Sequence, residues 1–149
     1  MKGEQRRKGL YNLVNNLDHA PGILAYIDKK PVGWIALSPR DEYTRLVKSR
    51  VIRPFDDKPV WSIVCFFIHK EYRGIGITNA LIECAKEYAK QKGAMILESY
   101  PIESTEKINE TSSYVGLEKW FLEAGFSKIA ETKAKGGGQK RILMRKTLT

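Results

Sequence analysis

The spacing of apolar residues changes several times along this chain, and each change marks an element. Leu10, Leu13, Val14 and Leu17 recur at i, i+3, i+4 and i+7, which predicts an amphipathic helix over residues 4–17. Pro21-Gly22 breaks it. Gly22 to Ile27 and Pro31 to Ser38 read as short strands joined by a turn at Asp28-Lys29-Lys30, so they predict a hairpin. Residues 39–58 are rich in charge. A helical piece fits Asp41 to Lys48, but Pro54 and Pro59 preclude a long regular element. Val60 to Ile68 (V-W-S-I-V-C-F-F-I) is apolar on both alternating faces, the mark of a central strand covered on both sides. A helix over residues 74–92 follows, with Ile77, Leu81, Ala85 and Tyr88 as its buried stripe. Lys90 and Lys92 suit its negative end and Gly93 stops it. Ala94 to Tyr100 is another strand, ended by Pro101, and residues 101–112 form a polar loop. Tyr114, Leu117, Phe121 and Ala124 mark a helix that ends at Gly125. Phe126 to Lys133 and Gln139 to Leu148 close the chain as a hairpin with Gly136-Gly137-Gly138 at its tip. The order predicts an α/β chain with a mixed sheet, and a single domain over residues 1–149.

The segment Glu71 to Leu81 (E-Y-R-G-I-G-I-T-N-A-L) carries the chemistry. It joins a buried strand to the start of a helix, where the first N–H groups have no partner within the helix and the macrodipole is positive. Gly74 and Gly76 put no side chain between backbone and ligand, and Arg73 adds a forked cation. The expected ligand is a phosphorylated cofactor. A dinucleotide fingerprint would need a third glycine, where Asn79 stands, and a P-loop would need Gly-Lys-Ser/Thr, which is missing.

Composition changes this picture little. The chain is 42% apolar and 29% charged, ordinary for a soluble protein. No stretch is long enough to span a membrane and no signal-peptide core follows the N-terminus, so a cytoplasmic protein is expected. A net charge of +9, from 26 basic and 17 acidic residues, favours an anionic partner. The basic residues are spread along the chain and no nucleic-acid-binding signature is present, which argues against nucleic acid. Cys65 and Cys84 make no metal spacing and read as reduced, buried thiols. His19 and His69 are far apart, so no metal is expected.

With strand, turn, helix and second strand in this order, the chain resembles the GNAT superfamily of N-acetyltransferases. The carrying residues are Arg73-Gly74-Ile75-Gly76-Ile77-Thr78, preceded by His69-Lys70-Glu71-Tyr72, and Phe121-Leu122-Glu123-Ala124-Gly125-Phe126, similar to the family's Tyr-x-x-x-Gly-Phe signature. Pro31–Trp34, Ser38–Arg40, Ser49-Arg50, Asp56–Ser62 and Glu98–Pro101 resemble one bacterial subgroup within it. The resemblance implies a mixed, mostly antiparallel central sheet flanked by helices, lacking or truncated at its first strand. It implies acetyl-CoA as cosubstrate, no metal, and an amine acceptor that is a small molecule or a peptide, with room for a homodimer through the C-terminal hairpin. It places the pyrophosphate on Arg73, Gly74, Ile75, Gly76, Ile77 and Thr78, and the pantetheine arm on backbone groups of Phe67 and Ile68.

Three residues depart from the family pattern: Thr78 replaces a small residue, Phe121 a tyrosine that serves as acid, and Tyr114 an asparagine. Tyr100 and Tyr114 therefore become candidate acids. Glu98 is the candidate base, because a carboxylate inside a strand is costly unless it faces a cleft or is paired. The competing role for Glu98 is an ion pair with Arg40, Arg45, Arg50 or Arg53. Arg40 and Arg50 are candidates to select an anionic acceptor. Two other functions compete with acetyl transfer: a non-catalytic CoA-binding sensor or scaffold of the same fold, and a basic nucleic-acid-binding module.

Overall fold

The computed structural model describes residues 19–103 and 114–149. The expected helix over residues 4–17, any strand preceding it, and most of the loop 101–112 lie outside them. Six strands form one sheet: β1 (Gly22–Ile27), β2 (Lys30–Pro39), β3 (Trp61–Ile68), β4 (Ile96–Ser99), β5 (Ser127–Gly136) and β6 (Gln139–Thr147). Their spatial order is β1-β2-β3-β4-β6-β5. Only β3 and β4 pair in parallel. Among the described residues three α-helices accompany the sheet: the single turn α1 (Thr44–Val47), α2 (Ile77–Gln91) and α3 (Glu118–Glu123). A parallel pair needs a crossover, and α2 supplies it. This is the expected mixed, mostly antiparallel sheet with flanking helices.

The two faces of the sheet are covered differently. On one, α2 buries Leu81, Ile82, Ala85 and Ala89 against Ile35, Leu37, Ile63 and Leu97, joined by Phe121 and Phe126. Each large aliphatic chain so buried contributes roughly 1.5–3 kcal/mol. On the other face, Leu46 and Ile52 from the β2–β3 connection pack on Tyr100, Ala134 and Leu143. That connection holds a 3-10 turn at Arg40–Glu42 and then α1, where a helical piece is expected near Asp41 to Lys48. It is fastened by side chains: the Ser49 hydroxyl accepts from Ile52 N–H at 2.9 Å, and Arg40 Nη2 donates to Ile52 O at 2.8 Å. Lys133 N–H of β5 also donates to Val51 O at 3.1 Å.

Two elements are shorter than their patterns predict. β4 covers Ile96–Ser99 only, because beyond it the backbone turns toward β6: Ile142 N–H donates to Pro101 O at 2.9 Å. The helix expected from Tyr114 begins at Glu118. Gly116 has φ +94, which no right-handed helix tolerates, and a Cβ there would lie 2.7 Å from the Phe121 ring. Gly116 O and Glu118 N–H instead bond Ile102 at 2.9 Å each, so this stretch runs as an extended segment beside Ile102. β5, one of the two edge strands with β1, carries two register irregularities, at Lys128/Ala130 and Glu131/Lys135. No helix among the described residues is long and apolar enough to cross a membrane.

Candidate functional site

The turn before α2 is built to receive an anion. Gly74 and Gly76 adopt φ +78 and +89, and a Cβ added at either meets no atom within 4 Å. The conformation requires glycine, and the space beside it is open. Gly76 is the N-cap of α2, and no side chain caps the helix. The first helical bond runs from Ala80 N–H to Gly76 O at 3.1 Å, so the N–H groups of Ile77, Thr78 and Asn79 have no acceptor within the helix. Uncapped N–H groups with the positive end of a fifteen-residue helix behind them suit a phosphate. Arg73 is exposed and commits only its Nε, which donates to Ile68 O at 3.3 Å. The His69 ring orders the approach to the turn by accepting from Glu71 N–H at 3.2 Å.

A second opening leads into this turn. β3 and β4 pair only through Trp61–Ile63 and Leu97–Ser99, so beyond Ile63 that edge of β3 has lost its strand partner. The hydrogen-bond phase decides which groups face the gap. His69 N–H donates to Val32 O at 2.7 Å, which fixes that pair as hydrogen-bonded toward β2. In an antiparallel ladder bonded pairs alternate, so Phe67, opposite Trp34, also faces β2. The main-chain groups of Phe66 and Ile68 face the open edge. This corrects the expectation for Phe67: its backbone is spent on β2, and Phe66 takes its place beside Ile68. Side-chain patterning carries no information on that phase, so the sequence had no signal for Phe66. Gly116 and Leu117 are held beside Ile102, and a Cβ built at Gly116 would lie 3.1 Å from the Phe66 ring.

Glu98 and Tyr100 lie elsewhere in character. Glu98 is fully buried, and both its oxygens are engaged. Tyr100 Oη donates to Oε1 at 2.7 Å, and Arg145 Nε donates to Oε2 at 2.7 Å. Arg40 Nε lies 3.9 Å from Oε1. Arg145 also forks onto Asp56 at 2.8 and 2.9 Å, which holds that carboxyl below the usual carboxylate range. Ser62 Oγ lies 2.7 Å from Tyr100 Oη. Burial, then the neighbouring Glu98 charge, pushes the Tyr100 hydroxyl above the ordinary tyrosine range, so it stays protonated and donates. Glu98 thus faces no cleft and is an ion-paired carboxylate, and its main partner is Arg145. Of the four arginines expected to pair with it, Arg40 alone approaches. Tyr100, 1% exposed, has no access to a leaving group.

The remaining candidates separate. Arg40 is buried and holds Leu46 O and Ile52 O, so it organises the connection and is not free to select an acceptor. Arg50 is exposed and lines a groove of about 360 Å³ with Arg53, Lys133 and Phe55, which shares no residue with the turn or the open edge. Tyr114 is 60% exposed. Phe121, where the family signature has tyrosine, is fully buried against Phe66 and Phe126, with ring centroids at 5.9 and 5.0 Å. Burial pushes the Cys65 thiol up, away from reactivity. Cys84, expected to be buried, is exposed on α2. Among the described residues no group of His, Cys, Asp and Glu could hold a metal ion.

Comparison with known proteins agrees with this geometry. Residues 2–107 match the family model described as acetyltransferase (GNAT) family. No curated protein matches the chain by sequence. Among solved structures, a ribosomal-protein-alanine N-acetyltransferase from Brucella melitensis superposes with a TM-score of 0.66 at 19% identity, over 99% of this chain and 80% of that one. A GNAT-family acetyltransferase from Streptococcus pneumoniae gives 0.63 at 16% identity, over 100% and 78%. The structure of yncA from Salmonella typhimurium with its cofactor acetyl-CoA gives 0.65 at 12% identity, over 99% and 75%. At these identities the likeness is one of fold.

Proposed function

This chain belongs to the acetyltransferase (GNAT) family, and from that premise we propose that it moves an acetyl group from acetyl-CoA directly to a primary amine. The observation that carries the proposal is the continuity of two open features: the unpaired edge of β3 runs into the uncapped start of α2. An extended arm with amide groups fits the first, and a pyrophosphate fits the second.

In this reading the Phe66 and Ile68 main chain takes the arm, and Arg73, Gly74, Ile75, Gly76, Ile77 and Thr78 take the pyrophosphate. Bound there, acetyl-CoA supplies an activated acetyl thioester. The protein's own work is to bind, orient and manage protons. The acceptor must arrive neutral, and an unperturbed alkyl amine titrates near ~10.4, so turnover rises with pH over the neutral range. Tyr114, an exposed residue, is the candidate to hold a proton at Oη. Glu98 and Tyr100 have a positioning role, fixing β4 to β6 beneath the β2–β3 connection. Arg50 lines a groove apart from the turn and the open edge, so it is given no part in holding the acceptor.

The test is thermal unfolding with acetyl-CoA and with CoA. A ligand bound only by the folded state at ~100 times its Kd adds about 2.7 kcal/mol. A rise in midpoint is expected, and its absence at saturation would sink the proposal. Thiol release with an amine panel then separates catalysis from a non-catalytic CoA sensor, a reading that the buried Phe121 and the paired Glu98 favour. Tyr114→Phe is expected to lower kcat about tenfold with the acetyl-CoA midpoint shift intact. An unchanged kcat would remove Tyr114 from proton transfer.

A further inference from the structure

We infer that the acceptor is a small primary amine carried on an apolar body, aromatic or branched aliphatic, which seats on Phe67, Trp34 and Leu24. The inference rests on the acetyl-transfer reading and names its substrate class. It starts from the phase of β3. Phe66 and Ile68 direct their main-chain groups to the open edge, and Phe67 lies between them. Successive side chains alternate in a strand, so Phe66 and Phe67 project to opposite faces. On the α2 face the edge is closed: Phe66 packs on Trp120 and Phe121 with centroids at 5.7 and 5.9 Å. An acceptor must therefore come from the other face, and the first side chain it meets there is Phe67, 61% exposed.

Phe67 does not stand alone. Trp34 is its register partner across β2–β3, and Leu24 is the partner of Trp34 across β1–β2. Directly opposed residues have Cβ atoms about 4.5–5.5 Å apart, so the three side chains make one row from the open edge toward the outer strand. Leu24 is 46% exposed and Trp34 is half-buried. No charged residue interrupts the row. Single apolar residues on a surface are ordinary, but a contiguous row that begins at the reacting edge is a recognition surface. Its extent, three side chains, suits a small body and not a folded partner.

The test pairs 2-phenylethylamine with ethanolamine. Transfer is read as kcat/KM with acetyl-CoA, and binding by calorimetry with CoA present so that no reaction occurs. The aryl amine is expected to be preferred at least about tenfold. Phe67→Ala and Trp34→Ala should each raise its KM about tenfold while the acetyl-CoA midpoint shift stays as in the wild type. Equal use of the two amines would overturn the inference, as would an unchanged KM in both variants. Transfer to a peptide beginning with leucine but not to 2-phenylethylamine would assign the row to a polypeptide. A dimer by light scattering that Phe67→Asp converts to monomer would assign it to a second copy of the chain. Either result ends the small-amine assignment. If acetyl-CoA gives no midpoint shift while the heat of 2-phenylethylamine binding is lost in Phe67→Ala, the transfer reading fails and the amine site stands.

Discussion

Replacing Arg145 with methionine is expected to lower the free energy of unfolding by about 3 kcal/mol, the largest stability effect of any single change at this site. The reason is what is left behind. Arg145 donates to Glu98 at 2.7 Å and to both oxygens of Asp56 at 2.8 and 2.9 Å, and its guanidinium lies 5.0 Å from the Phe55 ring centroid. Without it a fully buried carboxylate keeps only the Tyr100 hydroxyl and the 3.9 Å contact with Arg40. A buried ion pair is poor evidence of net stabilisation, yet breaking one by removing a single partner is costly. The two statements separate in a double variant. Glu98→Gln with Arg145→Met should recover part of the loss, because no uncompensated charge remains. Urea denaturation measures both, and a single-variant loss under about 1 kcal/mol would show that Glu98 is held by other groups. Acid adds a check of sign. The Asp56 carboxyl is depressed in the folded state, so its contribution is present above the ordinary carboxylate value near ~3.9 and is lost as pH falls through the folded value. The wild type should therefore lose the Asp56 share of its margin over Arg145→Met in strong acid.

Gly76→Val is expected to abolish the acetyl-CoA midpoint shift, weakening binding at least about 100-fold. Two effects combine. A β-branched residue at φ +89 is strained by roughly 1–2 kcal/mol, and its methyl groups would occupy the open space over the uncapped helix start. Gly93 separates them. It has φ +90, nothing within 4 Å of a built Cβ, and lies past the other end of α2. Gly93→Val should lose comparable stability and keep the full midpoint shift. Loss of the shift in both variants, or in neither, would mean that the turn does not hold the anion.

The turn was legible because its requirements are local: glycine where φ is positive, an apolar run before it, an amphipathic stripe after it. That Val60 to Ile68 holds a strand was legible for a similar reason, but full cover on both faces was not, since Phe67 is 61% exposed near its end. Long-range partnership was not legible. Arg145 meets Glu98 across 47 residues of sequence and Asp56 across 89, and nothing near Glu98 distinguishes Arg145 from the four arginines of the β2–β3 connection. The placement of Arg40 follows the same logic, because a cation among charged neighbours reads as solvated until its backbone partners are known. The exchange of Phe66 for Phe67 has a different cause. Which residue of a strand directs its amide outward depends on ladder phase, and one bond, His69 to Val32, sets it.

The two irregularities in β5 bear on how the protein coexists with other copies of itself. An outer strand presents an unpaired row of amides and carbonyls, the template on which sheets grow into aggregates. Here the row is interrupted twice, Lys133 N–H is already bonded to Val51 O, and Lys128, Lys133 and Lys135 are exposed along it. A foreign strand that met this edge would find neither an unbroken ladder nor a neutral one. The sheet can thus leave β3 open inside the molecule for a ligand while its β5 boundary stays closed to polymerisation.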